Sequence, residues 1–473
     1  MSTTRKIAHN TLIQISGKVV STLLGLVAIG MMTRYLGQAQ FGWYVTVISF
    51  LGFAGILIDF GLIPVTAQMM SEPKFDKTVL FKNLLGFRFV TAFVFFGIIP
   101  FLAWLFPYPR EVNIAIGFVS LSFLAISMNQ VLIGFYQTKL KMHVQVIGEV
   151  FGRLVLIAGL FLVITNALGF LPVMGVVTLA SLSYTAMLWL NARRYAKTGF
   201  AFDAAIWKSI SIKMWPIAVS IMFNVVYLKG DVLILSVFRD QVEVGLYGAA
   251  YRVIDILAQT AMMIMGVMLP LLAYAWSRKD TKTFQQRYQQ SFDVMMMLAL
   301  PMTVGLMLTA NQIMAMIGGR EFVASGKPLQ ILAIAVFGVY LGGVFGHAAV
   351  AINKQKQTMW VYMSNAVITL IGYGIFIPRY GMWGAAWMTV FSELYAGIFL
   401  FLIIRYYSKT KLSLVVFGKI LLATILMGGT VYYYVPTMHV LISIALGGVV
   451  YGTVLVVTGG ISQSTIREVV RFR

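Results

Sequence analysis

The sequence predicts an all-α membrane protein with about 14 transmembrane helices, arranged as two six-helix lobes plus two C-terminal helices. Hydrophobic residues make up 60% of the chain and charged residues 11%, with a mean hydropathy of +0.87, far from the values of a soluble globular protein. Fourteen apolar stretches are each long enough for a bilayer span, which takes about 20 residues. Similar segments also recur at a spacing of roughly 205 to 215 residues, the size of a six-helix unit.

The predicted spans follow one another with short connections. They lie near residues 11–33, 40–62, 80–105, 113–136, 144–166, 171–191, 214–238, 245–275, 288–317, 328–352, 357–377, 383–404, 415–435 and 439–459. The longest connection, 192–213, is basic, and we expect it to lie on the membrane surface. The first apolar stretch is followed by no small-residue cleavage site, so it is predicted to be a retained span and not a signal peptide.

The distribution of Lys and Arg predicts the orientation. With the N-terminus in the cytoplasm, twenty-five of the 36 basic residues fall on the cytoplasmic side, six on the opposite side and five inside spans. The six are Arg34, Arg110, Arg239, Arg320, Lys327 and Arg379. Cytoplasmic loops are enriched in Lys and Arg, so the split predicts an inner cell membrane protein with both termini in the cytoplasm. The net charge of +21 has the same explanation, since the basic residues form no patch for nucleic acid.

Three pairs of segments define the repeat. The segment RYLGQAQFGWY (34–44) matches FRDQVEVGLYG (238–248), and KLKMHVQVIGEV (139–150) matches KQKQTMWVYMSN (354–365). The third pair is FLPVMGVVTLASL (170–182) with YGMWGAAWMTVFSEL (380–394). We therefore predict an N-terminal lobe at 1–200, a second lobe at 201–410, and two further helices with a basic tail at 411–473. The parallel orientation of the repeats predicts that the lobes are related by an axis along the membrane normal.

The composition argues against catalysis and metal binding. The chain has no cysteine, and its four histidines show no metal-binding spacing. We expect no cofactor, no metal site and no enzymatic activity. A glycan polymerase or ligase is expected to carry a large outer loop with polar residues, and the sequence shows no such loop.

The chain resembles the lipid-linked oligosaccharide flippases of O-antigen and related pathways, within the multidrug/oligosaccharidyl-lipid/polysaccharide exporter superfamily. The resemblance is carried by RYLG…FG after the first span, DFGL at the end of the second span, and YR…PLLA in the eighth. It covers nearly the whole chain. It implies two lobes around a central cavity, alternating access, and a polyprenyl-pyrophosphate-linked oligosaccharide as cargo for polysaccharide biosynthesis.

Five basic residues inside spans are candidate cargo ligands, because a lipid pyrophosphate is a compact anion that Arg can bind through a bidentate fork. They are Lys18, Arg88, Arg153, Lys229 and Arg252. The competing interpretation is neutralisation within the helix bundle. It applies most to Arg153, which has Glu149 at i−4, and to Arg252, which has Asp255 at i+3. Lys18 and Arg88 have no acidic residue at i±3 or i±4 and are therefore favoured.

The carboxylates inside spans are candidates for coupling transport to a proton or Na⁺. Asp255 and Glu393 lie deepest and are the preferred candidates, whereas Asp59 and Asp293 are predicted to lie at the interface. Pairing with the basic residues is the alternative role.

Two other functions remain open at the level of the sequence. A multidrug or organic-cation exporter of the same superfamily would prefer an acidic cavity, so the five buried bases favour an anionic cargo. An integral scaffold protein is the alternative from a different class. The identity of the glycan and the coupling ion do not follow from these residues.

Overall fold

Fourteen α-helices account for nearly all of the described chain. The computed structural model describes residues 3–59, 62–72, 75–139 and 141–460, and it describes side chains there except at 3–13, 15, 56–59, 64 and 216–228. The described residues contain no β-strand. The helices are α1 (Thr3–Asp59), α2 (Leu62–Ser71), α3 (Lys77–Ala103), α4 (Arg110–Thr138), α5 (Met142–Thr165), α6 (Phe170–Ala192), α7 (Ala204–Phe238), α8 (Gln241–Ser277), α9 (Thr281–Gly318), α10 (Gly326–Ala351), α11 (Gln355–Tyr380), α12 (Met382–Ser408), α13 (Val415–Tyr434) and α14 (Val440–Val457).

The fourteen predicted spans correspond to these helices. The first two spans form α1, which consists of two helical segments that meet at Gly37, and the others are α3 to α14. Twelve helices in the described part of the chain are long and apolar enough to cross a membrane, and α1 contributes a single 40-residue stretch, Ser16–Gly55, to that number. The predicted all-α multi-pass membrane fold is therefore confirmed.

The connection between the first two spans is a single residue. The sequence predicts a polar turn at 34–44, yet the backbone is helical on both sides of Gly37, which has φ 66° and ψ −177°. A positive φ places this residue in a region that glycine enters at little cost, so one residue redirects the chain without a loop. Residues 60 and 61, part of the DFGL motif, lie outside the described residues.

Helix α7 begins ten residues before the predicted span. The sequence predicts a surface connection at 192–213, but α7 starts at Ala204. The reason is a cap: the Asp203 carboxylate accepts hydrogen bonds from the backbone N–H groups of Ala205 and Ile206. Lys213 is thus helical, and its ammonium binds the carboxylate of Glu72 at 2.6 Å.

The chain divides into two compact units. The first comprises Met1–Gly245 with Ile317–Gly319, and the second comprises Leu246–Met316 with Arg320–Arg473. This division keeps α7 with the first unit, whereas the repeat places it at the start of the second lobe; the lobe boundary at residue 200 remains a prediction. The basic tail predicted after α14 lies outside the described residues.

The same helix neighbours recur in each unit. In the first unit α6 packs against both α4 and α5, and in the second unit α12 packs against both α10 and α11. The sequence alignment pairs α5 with α11 and α6 with α12. Each matched pair of segments thus occupies a corresponding place within its own unit, as an internal repeat requires.

If the first matched pair is shifted by one residue, QAQFGWY (38–44) corresponds to QVEVGLY (241–247) and Gly42 corresponds to Gly245. In this register the two glycines show a reciprocal contact. A Cβ on Gly42 would collide with the carbonyl oxygen of Gln241, and a Cβ on Gly245 would collide with that of Gln38. The glycine of each segment therefore contacts the glutamine that begins the other segment. Glycine is required at both places because the two helix starts approach to backbone contact.

Candidate cargo-binding site

A charged contact joins α1 and α5 in the first unit. The Lys18 ammonium lies 3.2 Å from Oε1 of Glu149, and the Ser21 hydroxyl donates to the same oxygen at 2.8 Å. Ser21 follows Lys18 by three residues, which places both side chains on one face of the helix. One carboxylate of α5 is therefore held by two groups of α1.

The same contact continues one turn further along both helices. Arg153 follows Glu149 by four residues on α5, and Gly25 follows Ser21 by four residues on α1. A Cβ on Gly25 would lie 3.6 Å from Cζ of Arg153, so the guanidinium lies against the α1 backbone where no side chain intervenes. We call Lys18, Ser21, Gly25, Glu149 and Arg153 the α1–α5 seam.

The α1–α5 seam carries two cations and one carboxylate. The side chains of Lys18 and Glu149 are 39% and 22% exposed, so this ion pair is only partly shielded and contributes about 0 to 1 kcal/mol. Within the described residues, Arg153 makes no ion pair and no hydrogen bond through its guanidinium, and it is half-buried. The seam therefore has an excess positive charge located at Arg153.

This arrangement reverses two inferences from the sequence. The i,i+4 spacing indicated that Glu149 neutralises Arg153, but the Glu149 carboxylate turns to Lys18 and Ser21 on α1. Conversely, Lys18 is favoured in the sequence because it has no acidic residue at i±3 or i±4, yet its partner is Glu149 on α5, 131 residues later. Spacing within one helix does not show a partner on another helix.

Arg88 lies inside the contact between α3 and α4. Only 1% of the residue is exposed. Its Nε donates to the carbonyl oxygen of Ser127 at 3.2 Å and its Nη2 to Oε1 of Gln130 at 2.6 Å. These bonds give the guanidinium acceptors within the protein, as a buried charge requires. The surroundings of Arg88 therefore favour a structural role, and cargo binding by this residue stays a prediction.

Lys229 and Asp231 lie two residues apart on α7. Asp231 is fully buried, and its Oδ1 accepts from the backbone N–H of Val232 at 2.8 Å. Lys229 is half-buried and also has interactions with its surroundings. The side chains of the preceding thirteen positions are outside the described part, so its role in cargo binding remains a prediction.

In the second unit, Arg252 and Asp255 form the intrahelical pair that their spacing indicates. Nη1 of Arg252 lies 3.7 Å from Oδ2 of Asp255, and the two side chains are 29% and 27% exposed. Asp255 therefore has a cationic neighbour on its own helix. Its role in ion coupling is untested by this geometry.

Glu393, the other coupling candidate, lies on α12 where α12 packs against α10. It is 6% exposed, and a Cβ on Gly338 would lie 2.8 Å from Cβ of Glu393. Glycine at position 338 is thus what allows α10 to approach this carboxylate. The burial is typical of a functional intramembrane carboxylate, and the coupling role remains a prediction.

Sequence reasoning missed Ser21, Gly25 and the role of Glu149. A signal was present in the residues: positions 18, 21 and 25 follow the spacing of one helix face and carry a base, a hydroxyl and a glycine. What the sequence lacked was the pairing of α1 with α5. Among the described residues, no group of three or more His, Asp or Glu side chains could hold a metal ion.

The long apolar helices define a multi-pass membrane protein. The model of the family described as "Polysaccharide biosynthesis protein" matches residues 7–276, more than half of the chain. The chain belongs to this family, and the resemblance seen in the sequence is confirmed.

Two curated relatives are similar to the chain. A "Probable low-salt glycan biosynthesis flippase Agl15" of Haloferax volcanii is 22% identical over 247 residues, covering 51% of this chain and 52% of that protein. The chain thus matches about half the length of this relative. A "Putative O-antigen transporter" of Shigella flexneri is 22% identical over 394 residues, covering 80% of this chain and 93% of that protein.

Solved structures share the fold. The lipid II flippase MurJ in an inward closed conformation superposes with a TM-score of 0.78 at 16% identity, covering 94% of this chain and 97% of that chain. An inward-facing multidrug resistance MATE family transporter of the MOP superfamily gives a TM-score of 0.68 at 13% identity, covering 84% and 98%. At these identities the likeness concerns the fold alone.

Proposed function

We propose that the chain is a flippase that moves a polyprenyl-pyrophosphate-linked oligosaccharide across the cytoplasmic membrane by alternating access, for polysaccharide biosynthesis. Both curated relatives are named as a flippase or transporter of glycans, and the family is one of polysaccharide biosynthesis. The positive-inside distribution supports an inner-membrane location with both termini in the cytoplasm.

The observation that carries the proposal is the excess cation of the α1–α5 seam. Arg153 is half-buried, adjoins Gly25 and has no carboxylate partner in the described part of the protein. A charge within a span costs about 2.5 to 3.5 kcal/mol, which an anionic ligand can offset. A guanidinium matches a phosphate through two parallel hydrogen bonds, and Lys18 lies two turns away on the other helix to add a second charge.

Lys229 and Arg252 are proposed as further basic contacts for the pyrophosphate, and Asp255 and Glu393 as carboxylates that bind a coupling proton or Na⁺. These assignments rest on charge and position within spans. Asp255 lies beside the Arg252 guanidinium on α8, whereas Glu393 is buried where α12 packs against α10.

The proposal is tested by binding and transport with one pair of variants. Purified protein is titrated with undecaprenyl pyrophosphate by native mass spectrometry, and flipping of a fluorescent polyprenyl-pyrophosphate disaccharide is followed in proteoliposomes. Arg153→Gln is expected to weaken binding about tenfold or more and to abolish flipping, with unchanged folded yield, because one charge-assisted bidentate contact contributes about 1.5 to 3 kcal/mol. The matched control is Arg194→Gln, an exposed arginine at the end of α6.

The same experiment separates the proposal from its rival. The MATE structures share the fold, so an organic-cation exporter is the second candidate. Binding of a lipophilic cation that Arg153→Gln strengthens, together with no binding of undecaprenyl pyrophosphate, would replace the flippase proposal with that alternative.

A further inference from the structure

An apolar groove runs between α11 and α12 in the second unit. Its volume is about 780 Å³, and every side chain that lines it is aliphatic, aromatic or that of methionine. The volume lies within the range of about 300 to 1,000 Å³ that is usual for small-molecule sites. A groove of this composition suits a hydrocarbon chain.

Two glycines create the groove. A Cβ on Gly372 would collide with the end of Met388, and a Cβ on Gly384 would collide with the carbonyl of Phe376, so the two helices approach closely along this line. The large side chains beside the glycines point away from the contact, and Ile371 and Trp387 are 59% and 55% exposed. The floor is thus buried, while the side chains of the walls are exposed on the surface of the helices.

The length of the groove along α11 is close to the thickness of one bilayer leaflet. Its lining extends along α11 from Ile368 to Tyr380, which at 1.5 Å per residue is about 18 Å. The hydrocarbon core of a bilayer is about 30 Å thick, so one leaflet is about half of that. Tyr380 and Trp383 stand at the end near the α11–α12 turn, and these residue types prefer the membrane–water interface.

A basic residue marks the interfacial end of the groove. Arg379 lies in the last turn of α11, beside Tyr380, and its side chain is exposed. In the described part of the chain its guanidinium has no ion pair and no hydrogen bond. It is also one of the six basic residues on the side of the membrane where Lys and Arg are scarce. A lipid phosphate at this depth would be within the reach of a guanidinium fork.

We propose that the groove binds one hydrocarbon chain of an anionic phospholipid from the surrounding bilayer, with the lipid phosphate at Arg379. The single-leaflet length selects a bilayer phospholipid, whose chain ends near the midplane. The exposed guanidinium selects an anionic headgroup, since one basic residue near the surface favours anionic lipid by about fivefold. This site is independent of the flippase proposal, because it requires only the fold and the bilayer.

Native mass spectrometry of the full chain tests this site. Delipidated protein is titrated separately with phosphatidylglycerol and with phosphatidylcholine of identical acyl chains. The wild type is expected to retain one phosphatidylglycerol about fivefold more tightly than phosphatidylcholine, and Arg379→Gln is expected to abolish that preference. The matched control is Arg110→Gln, an exposed arginine at the start of α4 that adjoins no groove in α11 or α12.

A second variant addresses the hydrocarbon chain. Trp387→Ala removes one wall of the groove and is expected to weaken both lipids equally, with an unchanged elution profile and melting temperature as the folding check. Equal affinity of the wild type for the two lipids, or an equal loss of preference in Arg110→Gln, would overturn the proposal. Displacement of phosphatidylglycerol by equimolar undecaprenyl phosphate, in a manner that requires Arg379, would assign the groove to a polyprenyl tail instead.

Discussion

Helices α5 and α11 occupy corresponding places in the two units but differ in what they present. In the register that matches Lys139 and Lys141 with Lys354 and Lys356, the charged pair Glu149 and Arg153 corresponds to Ser364 and Ile368. The two pairs of positions occupy equivalent places on their helices. The first unit uses it for a charged contact with α1, whereas the second uses it for a hydroxyl pair and an apolar groove.

The surroundings explain the difference. Ser364 pairs with the hydroxyl of Tyr395 on the adjacent α12 at 3.0 Å, and Ile368 is 41% exposed at the end of the groove. Glu149 and Arg153 instead lie against α1, where Lys18 and Gly25 receive them. Helix α5 packs on α6 and helix α11 packs on α12 although the side chains at these positions differ. The same arrangement of helices can therefore carry different local chemistry.

The largest effect is expected when the charge of α5 is moved to α11. Ile368→Arg places an arginine on a membrane-facing surface, which costs about 2.5 to 3.5 kcal/mol. We expect a large loss of folded protein, measured by the monodisperse fraction in gel filtration and by the melting temperature. Arg153→Ile, the reverse exchange, is the control and should fold normally. Normal folding of Ile368→Arg would show that α11 is not lipid-facing at this position.

Replacement of Arg88 is expected to have the next largest effect. It tests whether Arg88 is a structural charge, in contrast to the proposed cargo-binding charges of the α1–α5 seam. Arg88→Met removes the hydrogen bonds from the guanidinium to the carbonyl of Ser127 and to the side chain of Gln130, at a cost of about 1.5 to 3 kcal/mol for bonds from a charged group. Flipping activity and folded amount should fall in parallel. Loss of flipping with a normal melting temperature would instead make Arg88 a cargo ligand.

Glu149 should have a moderate and opposite effect on binding. Glu149→Gln removes the only carboxylate of the α1–α5 seam and frees Lys18, so the affinity for undecaprenyl pyrophosphate should rise by about fivefold, equivalent to about 1 kcal/mol for a partly exposed charge. The increase should shrink in high salt because screening weakens the interaction. Ser364→Ala, at the matched position of α11, should leave this affinity unchanged. A decrease in Glu149→Gln would mean that the carboxylate orders the site instead of opposing the anion.

The smallest effect is expected at two matched helix caps. Asp76 accepts from the backbone N–H groups of Thr78 and Val79 at the start of α3, and Asp280 accepts from that of Thr283 at the start of α9. Alanine at either position should lower the melting temperature slightly without reducing flipping. The Thr283 hydrogen bond holds the pKa of Asp280 below its ordinary value of 3.8, so this cap should persist at mildly acidic pH and weaken only as the pH falls through the lowered value. A melting temperature of Asp280→Ala that differs from wild type only below that pH would contradict this assignment.

Helix number and order were accessible from the sequence because long apolar stretches and charge asymmetry are properties of the chain alone. The start of α7 was not, since the cap at Asp203 depends on a local hydrogen bond and the residues after it are less apolar. The candidate site could be predicted from the sequence only in part. Composition indicated that Lys18 and Arg153 are expensive in a membrane, but their grouping required the knowledge that α1 packs against α5.

The partners of Arg88 also could not be predicted from the sequence. Its isolation from acidic residues along the helix indicates an unpaired charge, yet its guanidinium donates to two neutral acceptors on α4. A backbone carbonyl leaves no mark in the sequence, so such a partner cannot be anticipated from residue types.

The reciprocal contact of Gly42 with Gln241, and of Gly245 with Gln38, has a consequence for the history of the chain. The glycine of each segment contacts the glutamine of the other segment. Such a contact is called isologous, and it is the form found between identical subunits of a twofold dimer. A tandem duplication of a dimer-forming ancestor would produce it directly, with one glycine becoming two. Any later side chain at either glycine would then have had to be accommodated by the opposite copy.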